Sequence, residues 1–266
     1  MKRIIYLFLS LSLVVSTACS DDDNKTIDNG NMSENSSLVI CSSGMENSHS
    51  YVDLGLPSGT LWAACNVGAS TPYENGNYYA WGETSPKTVY DYSSYKFGDA
   101  KHAFTKYCTL ESCGKSGFVD NKVVLDLSDD AAHVNWGGKW VMPTEEQLTE
   151  LYKECYWVWT DSYDETDISG YVVYKATKGN KGKVSYHQLK PEPSYSLADI
   201  HIFIPASGFR CRRSLEGKGV DVGIWSSSLN PIEPSLACFV DNDADNLKNN
   251  YGYRYCGQTV RPVFVP

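Results

Sequence analysis

Gly137-Gly138-Lys139-Trp140-Val141-Met142-Pro143-Thr144-Glu145-Glu146-Gln147-Leu148 sets a helix stop, a short strand and a helix start side by side. The paired glycines end whatever helix precedes them, and Lys139 to Met142 reads as a strand that turns a tryptophan inward. Pro143 closes that strand and leaves Thr144 as an N-cap, with Gln147 three residues on to complete a capping box. Leu148, Leu151, Tyr152 and Cys155 then recur at helical spacing, while Glu145, Glu146, Glu150 and Lys153 fall on the wet side. A helix with one apolar face needs a surface to cover, and the residues after it read mostly as strands. The expected partner is therefore a sheet.

Upstream of this stretch, Ser128 is the expected cap of a short helix that ends at Gly137. Residues 84–121 show little periodicity and read as a long excursion over the surface. Earlier still, two short strands flank the turn Pro57-Ser58-Gly59. Downstream, Trp157-Val158-Trp159-Thr160 is a strand, and residues 171–177 and 183–187 alternate at period two around Lys178-Gly179-Asn180-Lys181-Gly182. That pattern predicts a hairpin. Ile200, Ile202 and Ile204 alternate as well, and further short strands are expected near Trp225, Phe239 and Val260. Two short helices among many short strands make an α+β domain.

The N-terminus carries Lys2 and Arg3, an apolar run and small residues before Cys19, the pattern of an export signal over residues 1–18. Ser16-Thr17-Ala18-Cys19 resembles a bacterial lipobox, which would make Cys19 the lipidated first residue; secretion after Ala18 is the alternative. Ser20-Asp21-Asp22-Asp23 resembles the surface-export signal of Bacteroidetes lipoproteins. Residues 19–50 are rich in Asn, Ser, Asp and Gly and read as a flexible tether reaching on the order of 30 Å. The folded domain is expected over residues 51–266.

The net charge is -9, and loss of Lys2 and Arg3 with the signal makes it more negative by two. Nucleic acid is excluded as a partner by the lack of a basic stripe, and contact with the membrane is expected through the lipid alone. The address that follows is the outer membrane, lipid-anchored and facing the cell exterior. Of nine cysteines, eight remain once Cys19 is set aside. An exported chain permits disulfides, and Cys108 with Cys113 is the pair most easily joined locally, but spacing does not fix the connectivity. Cys65 and Cys155 read equally well as buried apolar residues.

Val52-Asp53-Leu54-Gly55-Leu56, Trp62-Ala63-Ala64-Cys65-Asn66-Val67-Gly68-Ala69, Tyr79-Ala80-Trp81-Gly82-Glu83, Trp136 to Thr144, Ile204 to Arg210, Trp225-Ser226-Ser227-Ser228 and Gly257-Gln258-Thr259-Val260-Arg261-Pro262-Val263 together resemble the FISUMP, or major paralogous, domain of Bacteroidetes-type surface lipoproteins. The resemblance implies a single C-type-lectin-like domain, of the variety shared with formylglycine-generating enzymes, and no settled activity. It makes Trp62, Trp81, Trp136, Trp140 and Trp225 framework residues of the core. Arg210 and Arg261 lie beside framework strands and are expected to bond loop carbonyls.

Three chemistries compete for these residues. A metal-dependent oxidase like the formylglycine-generating relatives would need a close-set cysteine pair near the C-terminus, and Cys238 and Cys256 are far apart in sequence. His49, His102, His133, His187 and His201 stand singly, outside any metalloprotease or nucleophile motif, so the chain reads as a non-enzyme. Asp241, Asp243 and Asp245 alternate as calcium ligands would, although Asn246 stands where a calcium loop has Gly and Gly252 where it has Glu. Calcium is thus the one cofactor the pattern suggests. Asn230, Asn242, Asn249, Asn250, Tyr251, Tyr253 and Tyr255 give the C-terminal segment the Tyr and Asn composition of binding loops. Packing of alternate tyrosines on a sheet is the competing reading. The expected function is binding of an extracellular glycan or protein through these loops, with a structural role in a surface assembly as the alternative.

Overall fold

A computed structural model describes residues 41–185, 195–243 and 246–266, the side chains of 242, 243 and 246–248 excepted. Its first strands are β1 (Gly44–Glu46), β2 (His49–Val52), β3 (Leu61–Ala63) and β4 (Tyr79–Ala80). Two helices follow, α1 (Ala131–Trp136) and α2 (Glu145–Glu154). The chain continues through β5 (Cys155–Thr160), β6 (Gly170–Lys175), β7 (Val184–Ser185), β8 (His201–Pro205), β9 (Phe209–Cys211) and β10 (Ser214–Glu216). It ends with β11 (Val222–Leu229), β12 (Leu236–Asp243), β13 (Asn246–Tyr253), β14 (Gly257–Gln258) and β15 (Val263–Phe264). Two helices among many short strands is the composition expected.

The deciding stretch folds largely as read. Gly137 and Gly138 sit at φ 65° and 58°, a left-handed turn that stops α1, and the Gly137 amide closes it by donating to the His133 carbonyl at 2.8 Å. Thr144 Oγ1 accepts from the Gln147 amide at 3.3 Å, and Gln147 Oε1 accepts from the Thr144 amide at 2.9 Å. Leu148 and Leu151 are fully buried, each stabilising the fold by about 1.5–3 kcal/mol. Two details differ. Val141 makes only an isolated bridge to Val263, and α1 is capped by Asp130, whose Oδ1 accepts from the His133 amide at 2.9 Å, not by Ser128. Residues 127–129 form a 3-10 turn ahead of it, which moves the cap two residues along.

The strands of the described residues form four sheets, ordered β1-β2-β3-β15, β10-β9-β14-β4, β11-β12-β13 and β7-β5-β6-β8. The fourth overturns the predicted hairpin. β6 pairs with β5 and β8, whereas β7 lies on the far side of β5 and runs parallel to it, with Trp157 beside Val184. The Trp157 amide donates to the Lys183 carbonyl at 3.0 Å and fixes that placement. Alternation marks a strand; its partner is chosen by tertiary contact.

The domain also starts earlier than residue 51. β1 and β2 form a hairpin, the Trp140 indole donates to the Glu46 carbonyl at 2.9 Å, and the His49 ring stacks on Trp136 with centroids 3.8 Å apart. Residues 1–40, which hold the expected signal, Cys19 and most of the tether, lie outside the described residues.

Residues 84–121 do more than cross the surface. Tyr95, Phe97, Phe104 and Tyr107 from this segment are buried in the same core as Trp81, Trp136, Trp140 and Trp225. Aromatic side chains of this kind each bury about 150–250 Å², so a segment with no periodicity still contributes heavily to the core.

Candidate functional site

β12 and β13 pair without interruption from Leu236 opposite Tyr253 to Asp243 opposite Asn246. Opposed residues in an antiparallel pair share a face, so Cys238 and Val240 lie with Tyr251 and Asn249, and Phe239 and Asp241 lie on the reverse. The first face rests on α2. There Asn249 Nδ2 donates to Thr149 Oγ1 at 2.7 Å and to the Glu145 carbonyl at 3.1 Å, and the Tyr251 hydroxyl donates to the Glu145 carboxylate at 2.9 Å. Burial and the adjacent Glu145 carboxylate push the Tyr251 hydroxyl up to about 12. These two residues, expected to bind ligand, tie the sheet to the helix.

The reverse face meets β9 and β14. An isolated parallel bridge joins Ile224 to Thr259, and the Trp225 amide donates to the Thr259 carbonyl at 3.0 Å. At this junction is a cavity of about 210 Å³, lined by Gly208, Phe209, Asp221, Val222, Gly223, Phe239, Asp241, Gly252, Tyr253, Cys256 and Gln258. Glycines open its floor. A Cβ on Gly223 would stand 2.0 Å from Gln258 Oε1, and one on Gly252 would stand 3.1 Å from Phe239 Cε1. Phe209 and Phe239 give it aromatic walls.

Gln258 distinguishes this cavity from a packing gap. The residue is 3 % exposed, and its Oε1 has no hydrogen-bond partner. A buried, unsatisfied amide oxygen costs roughly 1–3 kcal/mol, a cost that a ligand donating to it would remove. Asp241 adds an acceptor that already takes a bond from Asn250 Nδ2 at 2.6 Å. Among the described side chains, no lysine or arginine lines the cavity. The site can therefore accept hydrogen bonds from hydroxyl or N–H groups while packing an apolar surface against aromatic rings.

Of the expected ligand residues, the structure brings Tyr253 and Asp241 to this cavity, with Asn250 behind Asp241. Asn230 shapes a turn, its Oδ1 accepting from the amides of Ile232 and Glu233 at 2.9 and 3.0 Å. Tyr255 packs with Tyr253 on one side, centroids 5.4 Å apart, and with Tyr92 on the other at 4.5 Å. Asp241 and Asp243 are residues of β12, with Asp243 opposite Asn246 of β13. Asp245 and the side chains of Asn242 and Asp243 lie outside what the structure describes. Glu233 is held by Lys101 at 2.7 Å and by the Ser235 hydroxyl at 2.9 Å.

Among the described residues, no three histidine, cysteine or acidic side chains gather as a metal site. Cys238 faces α2, while Cys256 borders the cavity beside Cys211. Burial, together with the Cys211 thiol, pushes the Cys256 thiol up to about 12, which keeps it protonated at neutral pH. His201 is buried, with Nδ1 donating to the Asp199 carbonyl at 2.7 Å and Nε2 accepting from the Tyr163 hydroxyl at 2.9 Å. His102 and His133 face backbone carbonyls, and His187 lies outside the described residues.

A second, more open cavity of about 460 Å³ carries Lys87, Arg210 and Arg213. Lys87 is committed to Glu83 at 2.9 Å, and the Arg210 guanidinium lies 5.3 Å from the Tyr78 ring centroid. Arg210 was expected to bond loop carbonyls as Arg261 does. Arg261 alone of the two is fully buried, donating to the carbonyls of Ala63, Ala64 and Phe203 and to Asn66 Oδ1 at 2.7–3.0 Å.

Gln258, Gly223 and Phe209 are the site residues that reading the sequence missed. Gln258 stands in a framework motif that reads as a core strand, and the signal available was the polar side chain itself, placed where an apolar one is the rule. No family model, curated protein or solved structure matches the chain.

Proposed function

We propose that the chain is a surface lipoprotein of the FISUMP kind, with Cys19 lipidated, whose C-type-lectin-like domain binds an extracellular glycan or protein group in the cavity at Gln258. The observation that carries this reading is the buried, unpartnered Oε1 of Gln258, a residue that lines the same cavity as Phe209 and Phe239. A sugar ring matches both properties of the site, since it offers hydroxyl donors around an apolar face. In this reading the module is non-catalytic, and burial pushes the thiols of Cys155, Cys238 and Cys256 up to about 12, which keeps them protonated at neutral pH. Calcium is an optional partner of the β12–β13 hairpin end and not a condition of the reading.

The test is binding of the full chain and its Gln258→Met variant to a broad glycan array, with calcium and again with chelator. Methionine keeps the length of glutamine and removes the acceptor. Saturable binding that drops at least tenfold in the variant supports the cavity as the site. Equal binding by the variant removes the cavity from the proposal, and an array that stays blank with both proteins favours a protein partner.

A further inference from the structure

β9 and β14 are antiparallel neighbours, and their paired position sets Gly257 opposite Arg210. In an antiparallel ladder one step forward on one strand is one step back on the other. The next position therefore sets Cys256 opposite Cys211. Directly opposed residues have Cα atoms about 4.5–5.5 Å apart, inside the range of about 4.4–6.8 Å that a disulfide bridges. The two thiols are close enough for Cys211 to raise the pKa of Cys256. Cys211 is half-buried and Cys256 is buried, so a reagent meets Cys211 first.

We infer that Cys211 and Cys256 form a disulfide on meeting an external disulfide donor, and that this bond ties together two walls of the Gln258 cavity. The Cys211 thiol loses its proton, and its sulfur attacks the donor's S–S bond, giving a mixed disulfide and one donor thiol. The Cys256 sulfur then displaces the second donor thiol. Two cysteine thiols become one S–S bond, and the donor takes up two electrons and two protons. Exported chains meet such donors, and the N-terminal signal assigns this chain to that class.

The bond has a structural consequence because of what flanks it. Phe209 precedes Cys211 by two residues and Gln258 follows Cys256 by two, and both line the cavity. One covalent link at this point fixes the separation of an aromatic wall from the unpartnered acceptor. The inference does not depend on the glycan reading, because its readouts are chemical and thermal.

The experiment uses the full chain, reduced and then exposed to oxidised glutathione, alkylated after unfolding and digested without reduction. The expected product is a linked peptide pair holding Cys211 and Cys256, lighter by two hydrogens than the reduced pair. Oxidation should raise the melting temperature by roughly 5–10 °C. Cys211→Ser and Cys256→Ser should each abolish that rise. Recovery of both residues as alkylated thiols, linkage of either to another cysteine, or glutathione left on Cys211 would overturn the inference. A melting-temperature rise that persists in Cys211→Ser would overturn it too.

Discussion

Arg254 donates through Nε to the Tyr95 hydroxyl at 2.9 Å, in a place where the arginine is 0 % exposed. Its Nη1 donates to the carbonyls of Tyr107 and Pro234, and its Nη2 to that of Lys106, all at 2.9–3.0 Å. The guanidinium carbon lies 4.5 Å from the Phe104 ring centroid and 5.0 Å from that of Trp81. One planar cation thus gathers the segment containing Lys106 and Tyr107, the turn at Pro234 and the aromatic core.

Replacing Arg254 by Met should cost about 3–5 kcal/mol, because several buried acceptors lose their donors at once. Arg254→Lys should recover little of it, since one ammonium cannot reach carbonyls spread around a planar fork. Urea unfolding of the three proteins measures this. A loss under 1 kcal/mol in Arg254→Met would show that water replaces the guanidinium freely.

Asn249 and Tyr251 should behave as structural residues. Asn249→Ala removes the bonds to Thr149 and Glu145, and Tyr251→Phe removes the one to the Glu145 carboxylate. Each should cost about 1 kcal/mol, and the pair should be non-additive because both act on the start of α2. Binding at the Gln258 cavity should survive in both variants. A glycan-array pattern erased by either change with stability intact would return these residues to the ligand face.

What the sequence disclosed and what it withheld divide along the range of the interaction. The Thr144–Gln147 capping box spans three residues, and its chemistry is complete within them. The hairpin expected around Gly179 failed because period-two alternation is the same whichever strand lies alongside, and β7 lies along the edge of β5 that β6 leaves open. Asn249 and Tyr251 carry binding-loop composition, yet composition does not say which face of β13 is covered by α2. The segment around Phe104 looked like surface because its aromatics follow no period. Arg254, flanked by two tyrosines, carries no local sign of the acceptors it reaches, which come from Tyr95, Lys106, Tyr107 and Pro234.

His201 ties stability to pH. Burial lowers its pKa below the usual imidazole value against the upward pull of the Asp199 carbonyl, and the Tyr163 hydroxyl bonds a ring nitrogen without a proton. The unfolded chain therefore takes up a proton near pH 6.5 while the folded chain does not. This contribution to stability is complete above that pH and is lost as pH falls from it through the lower folded value. Melting temperature should drop between pH 7 and 5, and His201→Gln should flatten that part of the profile. An unchanged slope in the variant would assign the drop to other groups.

Gly223 and Gln258 should show the strongest coupling in the cavity. A Cβ at position 223 would meet Gln258 Oε1 at 2.0 Å, far inside contact, so Gly223→Ala must push the amide out of its place. Overpacking of this sort costs about 1–3 kcal/mol. At Gly252 the first contact is Phe239 at 3.1 Å, which a few tenths of an ångström relieve, so Gly252→Ala should cost less. Shortening the obstacle should rescue the first variant: Gly223→Ala combined with Gln258→Ala should be more stable than the sum of the two single changes by more than about 1 kcal/mol. Denaturant unfolding of the four proteins closes the cycle. Simple additivity would mean that the Gln258 amide does not stand over Gly223, and the acceptor on which the binding site depends would point elsewhere.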